Sequence, residues 1–144
     1  MKDFRLLIAT PERQFFDGRV VSVRLPAADG YMGILSGHEP AAIAINAGEL
    51  SFETDKGKKR ACAVSFGFAI VNGDMLRLSV QSAEWPEEID EHRALEERRI
   101  AEQRAIRHAS MREYEMARAA MARASARLYV KNHNSINEGD NPGL

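Results

Sequence analysis

Apolar and polar residues alternate through the first part of the chain in short runs, with glycine, proline and Asx punctuation between them. "FRLLIAT" opens the series. In "RVVSVRLP", Val21, Val23 and Leu25 share one face and Ser22 and Arg24 the other, the period-two pattern of a half-buried strand, and Pro26 is expected to end the run. "GELSFET" repeats the pattern with Leu50 and Phe52. "MLRLSV" repeats it with Leu76, Leu78 and Val80 against Arg77 and Ser79. Between these runs "DKGK" and "NGD" are turn chemistry, and Asn72-Gly73 suits a tight hairpin that pairs "FGFAIV" with "MLRLSV" antiparallel. Many short strands at such spacing favour a sandwich or barrel over a parallel sheet.

The pattern changes after the single tryptophan: from Glu87 there is no glycine until Gly139 and no proline until Pro142, and alanine, arginine and glutamate dominate. Two helices are predicted, "EEIDEHRALEERRIAEQRAIRHAS" and "MREYEMARAAMARASARLYVKN", with the turn at "RHAS". Ser110 is expected as N-cap, in a capping box with Glu113. The asparagines of "KNHNSIN" are expected to end the second helix. The division that follows is a strand domain over 1–84, a helical hairpin over 85–133 and a flexible tail over 134–144.

The hairpin is poor in large apolar residues. Alanine, Ile89, Leu95, Ile100, Ile106, Met116, Met121, Leu128 and Val130 must supply its buried face, too little for two short helices standing alone. It should therefore lie against the strand domain or a partner, and can exchange between them. Charge is segregated along it. Glu87, Glu88, Asp90, Glu91, Glu96 and Glu97 crowd its start, whereas Arg112, Arg118, Arg123, Arg127 and Lys131 dominate its second half. One reading is a solvated surface with charges matched to the helix dipoles; the other is a basic ridge for an acidic partner.

Composition narrows the rest. The chain has 144 residues and a formal charge of −1, which allows one modest core with a satellite and gives no global signal for nucleic acid. Cys62 is the single cysteine, so neither an internal disulfide nor a thiol metal site is expected, and a reducing compartment is weakly indicated. The apolar run after Met1 is short for a signal peptide, and no segment approaches the roughly 20 apolar residues of a membrane span. No phosphate loop, Gly-x-Ser-x-Gly or His-Glu-x-x-His occurs. His38, His92, His108 and His133 lack ligand spacing, so no metal is expected.

The loop "DGYMGILSGHEP", Asp29 to Pro40, strings Gly30, Gly33 and Gly37 around Met32-Gly-Ile-Leu. Together with "TPERQFFDGRVVSVRLP", "NAGEL" and "FGFAIVNGD" it resembles the epsilon subunit of bacterial-type rotary ATP synthases, in matching order over nearly the whole chain. It departs from the family at Ser36, usually proline, and at Ser65-Phe66, usually small. The resemblance implies an antiparallel β-sandwich of about ten strands followed by an antiparallel two-helix hairpin. It implies a rotor subunit without catalysis of its own, at the cytoplasmic face of a bacterial cell membrane and peripheral to it.

The partners so implied are the gamma subunit, the c-ring and the alpha/beta hexamer. The gamma-facing surface would include Thr10, His38, Glu39 and Ile43, and the ring-facing tip Asp29, Tyr31 and Met32. Many relatives carry glutamate where this chain has Tyr31, so an aromatic contact with a hydroxyl hydrogen bond is expected there in place of a salt bridge. The hairpin would fold down on the sandwich or rise along gamma. In the raised form, Arg112, Arg118, Arg123, Arg127 and Lys131 would meet an acidic segment of beta and block hydrolysis. No cofactor is required, but relatives that bind regulatory ATP carry an Ile/Leu-Asp-x-x-Arg-Ala motif, intact here as Ile89, Asp90, Arg93 and Ala94. Glu84 would join it, with Arg99, Arg123 and Arg127 as phosphate partners. The same residues also read as an ordinary acidic helix start with Arg93 paired to Glu97. A contrasting class is a free adaptor whose basic hairpin binds an acidic protein or RNA.

Overall fold

The computed structural model describes residues 2–139, with side-chain placement through Asn134. Nine strands form the first region: β1 Phe4–Ala9, β2 Gln14–Ala27, β3 Gly30–Leu35, β4 Ala41–Ile45, β5 Gly48–Thr54, β6 Lys59–Val64, β7 Gly67–Asn72, β8 Met75–Val80 and β9 Ala83–Glu84. The count is nine among the described residues, where about ten were expected.

One layer runs β1-β8-β7-β4, the other β3-β2-β5-β6-β9, and the long β2 belongs to both. Its first half pairs with β1, and its second half lies between β3 and β5. The transfer occurs at a bulge between Val20 and Ser22, where one unpaired residue bends the strand. The bulge also corrects the expected alternation: Val20, Val23 and Leu25 are the core residues, and Val21 is only half-buried. Pro26 does not end this strand, which continues to Ala27 with Pro26 opposite Tyr31.

The pairing is antiparallel with one exception: β1 runs parallel to β8, Arg5 opposite Met75 and Ala9 opposite Ser79. The β7–β8 hairpin pairs Asn72 with Met75 around Gly73-Asp74, and only Gly73 takes positive φ, at 62°. That is the demand of a two-residue turn with glycine first. At the other end of the hairpin, a Cβ on Gly67 would run into the Ser79 carbonyl. Ser65, one of the family departures, is buried, and its hydroxyl accepts a 2.9 Å hydrogen bond from the Ser82 amide.

The sandwich interior is one continuous cluster, including Leu6, Ile8, Leu25, Ile34, Leu50, Leu76 and Leu78. Burial pushes the Cys62 thiol up within it, so that cysteine is an inert packing residue. Trp85 closes one end, stacked on Phe15 at 4.3 Å, with the Arg60 guanidinium 3.8 Å from its ring centroid on another side.

A short 3₁₀ turn at Pro86–Glu88 leads to α1, Glu91–Ile106, and α2, Met111–Gly139. The two pack along each other through Ala94, Ala101, Ala117 and Ala124, all buried, because small side chains let the helix backbones approach closely. Of the large residues expected on the buried face, Ile89, Leu128 and Val130 are buried, whereas Leu95, Ile100, Ile106 and Met116 are exposed. The hairpin is joined by alanine. At the joint with the sandwich Ala63, Ile89 and Val130 form a small separate buried cluster, and α2 packs along β5 and β6.

Ser110 caps α2 by accepting from the Glu113 amide at 3.2 Å, and the Glu113 carboxylate accepts from the Ala109 amide at 2.9 Å. The reciprocal bond therefore reaches one residue further back than in a standard capping box. The asparagines do not end α2. Asn134 turns its side-chain amide to the Val130 carbonyl at 2.8 Å, and the helix continues to Gly139. Of the expected flexible tail, 140–144 lies outside the described residues.

Candidate functional site

The Ile-Asp-x-x-Arg-Ala motif sits at the joint between sandwich and hairpin. Asp90 is the N-cap of α1, accepting from the Arg93 amide at 3.0 Å, which satisfies one of the free amides of the first turn. The Arg93 guanidinium pairs with Glu97 at 3.1 Å. Ile89 and Ala94 are buried, the first against Ala63 and Val130. Arg99 pairs with Glu96 at 2.6 Å, and this hydrogen bond draws the Glu96 carboxyl below its ordinary range.

The structure brings a different subset together around Arg127. Its Nη1 donates to Glu97 of α1 at 2.7 Å, and its Nε lies 2.9 Å from Glu84 at the end of β9. One guanidinium thus ties α2 to both α1 and the sandwich, and it is only 18% exposed. The Nε hydrogen is buried and not aligned on an acceptor, and the directed bond to Glu84 comes instead from Nη2, at 3.5 Å. One turn on, Lys131 donates to the Pro86 carbonyl at 3.0 Å. Arg13 straps the joint from the opposite side, donating to Glu88 and to the Ala83 carbonyl.

Beside Arg127 a cleft of about 990 Å³ opens between the helices, with Ser82 and Glu84 on the sandwich side. Ile100, Ala101, Met116, Ala117 and Ala120 form an apolar floor, with Arg104, Arg107 and Arg123 along the walls. Of the candidate nucleotide residues, Glu84, Arg123 and Arg127 line this cleft. Ile89, Asp90, Arg93, Ala94 and Arg99 do not. Arg123 lies 6.0 Å from the Phe66 ring centroid, which gives that family departure a contact. Sequence reading missed Arg104 and Arg107, whose spacing three apart on one helix face was the available signal.

The five basic residues of the expected ridge divide in this conformation. Arg112 and Arg118 are exposed; Arg123, Arg127 and Lys131 turn towards the cleft and the sandwich.

Asp29 and Met32 are exposed at the β2–β3 hairpin. Tyr31 is laid back: the Arg24 guanidinium sits 3.9 Å from its ring centroid, and its hydroxyl accepts from the Glu49 amide at 3.3 Å. The Tyr31 hydroxyl thus has one partner within the chain. Thr10 lines a groove with Phe66, Phe68 and Gln81. The His38 ring nitrogen bonds the Glu39 carbonyl at 2.8 Å, and both residues precede β4. Ile43 is 8% exposed and belongs to the core, so its side chain does not present a surface, contrary to expectation; the period of β4 puts Ala42 and Ala44 outward instead. They lie opposite Ile70 and Phe68 of β7, both exposed, which makes an apolar strip on the outer face.

Two family models match end to end: the β-sandwich domain of the ATP synthase delta/epsilon chain over residues 3–86 and its long α-helix domain over 87–132. The chain belongs to the ATP synthase delta/epsilon family. It is 40% identical over 95 residues to the ATP synthase epsilon chain of Caldicellulosiruptor saccharolyticus, an alignment covering 66% of this chain and 69% of that one. It is 36% identical over 96 residues to that of Koribacter versatilis, covering 67% of each. The fold is shared with a chain in the Euglena gracilis mitochondrial ATP synthase, at a TM-score of 0.76 and 20% identity over 93% of this chain and 81% of that one. A chain of the Tetrahymena thermophila mitochondrial ATP synthase central stalk and c-ring gives a TM-score of 0.60 at 11% identity, over 90% and 97%. Among the described residues no helix is long and apolar enough to cross a membrane.

Proposed function

We propose that the chain is a non-catalytic rotor subunit of a proton-translocating ATP synthase, peripheral to the cytoplasmic face of a bacterial membrane, that couples the c-ring to gamma and restrains ATP hydrolysis. The observation that carries this is the family match across both domains, joined to a hairpin whose seat on the sandwich has only a small buried apolar cluster. A small buried cluster and a handful of ionic contacts suit a part that must leave its seat. The outer strip of Ala42, Ala44, Phe68 and Ile70, bordered by Thr10, His38 and Glu39, suits a gamma-facing surface. Asp29 and Met32 are free for the ring, while Tyr31 stiffens their hairpin.

Regulatory ATP fits the cleft better than the motif alone suggests. Asp90 and Arg93 end at the joint, and the triphosphate would reach Arg123 and Arg127 inside, each a forked donor suited to phosphate. In the raised hairpin the inward-facing Arg123, Arg127 and Lys131 would be released to join Arg112 and Arg118 in the inhibitory ridge.

Removing residues from Met111 onward in the assembled complex should raise ATP hydrolysis without loss of assembly; an unchanged rate refutes the restraint. Equilibrium dialysis of the isolated chain with ATP, repeated on Asp90→Ala and Arg93→Ala, tests the nucleotide. Absence of binding, or binding indifferent to both changes, refutes it.

A further inference from the structure

Two of the arginines expected to hold phosphate, Arg99 and Arg127, are already held. Arg93 and Arg127 converge on one carboxylate, Glu97, at 3.1 and 2.7 Å, and Arg99 is taken by Glu96 at 2.6 Å. By contrast Arg104, Arg107 and Arg123 on the cleft walls carry no ion pair among the described residues. Arg127 also keeps one unaligned donor: its Nη2 bonds Glu84 at 3.5 Å, but its buried Nε hydrogen has no aligned acceptor. A buried guanidinium in that condition gains from a ligand whose several oxygens reach all of its donors.

We propose that Glu97 is an internal competitor for a polyphosphate ligand of the cleft, occupying Arg127 while the cleft is empty and yielding it when the ligand enters. This rests on the reading of the cleft as a nucleotide site. It inverts the usual expectation for an acidic residue beside a ligand: Glu97 sets affinity by opposing binding. The carboxylate is 43% exposed, so it can swing into solvent when displaced at little desolvation cost. Arg127, at 18%, stays where phosphate would find it. Glu84 would remain beside Arg127, so the link between α2 and the sandwich survives the exchange.

The test is isothermal titration of ATP into the full chain as wild type, Glu97→Gln and Glu102→Gln. Glu102 is an exposed α1 acid without an ion pair among the described residues, so its change alters net charge equally. The expected result is binding at least about fivefold tighter in Glu97→Gln, with Glu102→Gln close to wild type. Docking of the hairpin is read in parallel from thiol labelling of an Ala63→Cys background. Position 63 is covered by Ile89 and Val130, while Cys62 stays inside the sandwich. Unchanged or weaker affinity in Glu97→Gln, or an equal gain in Glu102→Gln, overturns the proposal while leaving the nucleotide reading intact. So does a Glu97→Gln chain whose introduced thiol turns reactive, because the carboxylate then holds the hairpin rather than the arginines. Absence of ATP binding by all three proteins overturns the nucleotide reading and the competitor with it.

Discussion

The two regions are held together by opposite means. The sandwich interlocks large aliphatic side chains from both layers in one core and closes its end with Trp85. The hairpin joins its helices through alanine and lies along β5 and β6 with a buried cluster of only Ala63, Ile89 and Val130, while Arg127, Lys131 and Arg13 supply polar ties. Apolar burial scales with area and tolerates no substitute in water, whereas an ionic tie can be exchanged for another ionic partner at small net cost. A seat built from the second kind of contact can be vacated without unfolding its occupant.

The comparison can be broken first at the sandwich. Leu78→Ala removes a fully buried side chain from between the layers and should cost about 2–5 kcal/mol, read as a lower midpoint in denaturant for the whole chain. A smaller, local effect is expected from Val130→Ala, also fully buried but in the docking cluster. It should lose about 2 kcal/mol at about 0.8 per methylene-sized group. Hydrogen exchange should rise in α2, while the sandwich keeps its denaturant midpoint. Equal destabilisation of both regions would show that they unfold as one unit. Asp90→Ala removes the cap of α1 and should cost about 1 kcal/mol, seen as loss of helical circular dichroism with the sandwich unaffected.

Acid should have the smallest effect. The Arg5 hydrogen bond holds the Asp17 carboxyl below its ordinary range on the sandwich, and Arg99 does the same for Glu96 on the hairpin. Both carboxylates bind their protons less tightly folded than unfolded. Their contribution is therefore complete above the unfolded values of about 4 and is lost as the pH falls through the lower folded ones. Each group is surface-exposed, so the loss should be shallow. A steep transition at neutral pH would contradict it.

Where the strands lie was readable because one face of each is buried and period two leaves a trace, as in Leu76, Leu78 and Val80. The reading failed at Val21, since a bulge resets the alternation without marking the sequence, and at Pro26, which β2 accommodates near its end. Helical stretches were legible from the absence of glycine and proline. Their buried faces were not, because alanine serves equally on the inside and outside, and Leu95 and Ile100 proved exposed. The Asp90 cap and the Arg93–Glu97 pair follow from local spacing. The Arg127 contacts depend instead on how α2 registers against α1 and β9, which no short-range pattern encodes.

The parallel pairing of β1 with β8 bears on how the chain comes into being. Synthesis delivers Phe4–Ala9 first and Met75–Val80 nearly last within the sandwich. During that interval one side of β1 has a partner in β2 while the other stands as an open strand edge, a template for unwanted pairing. Contacts so distant in sequence close slowly, whereas the hairpin that follows needs only local ones. The chain should therefore be most prone to aggregate when translation pauses before β8, the strand that covers this edge.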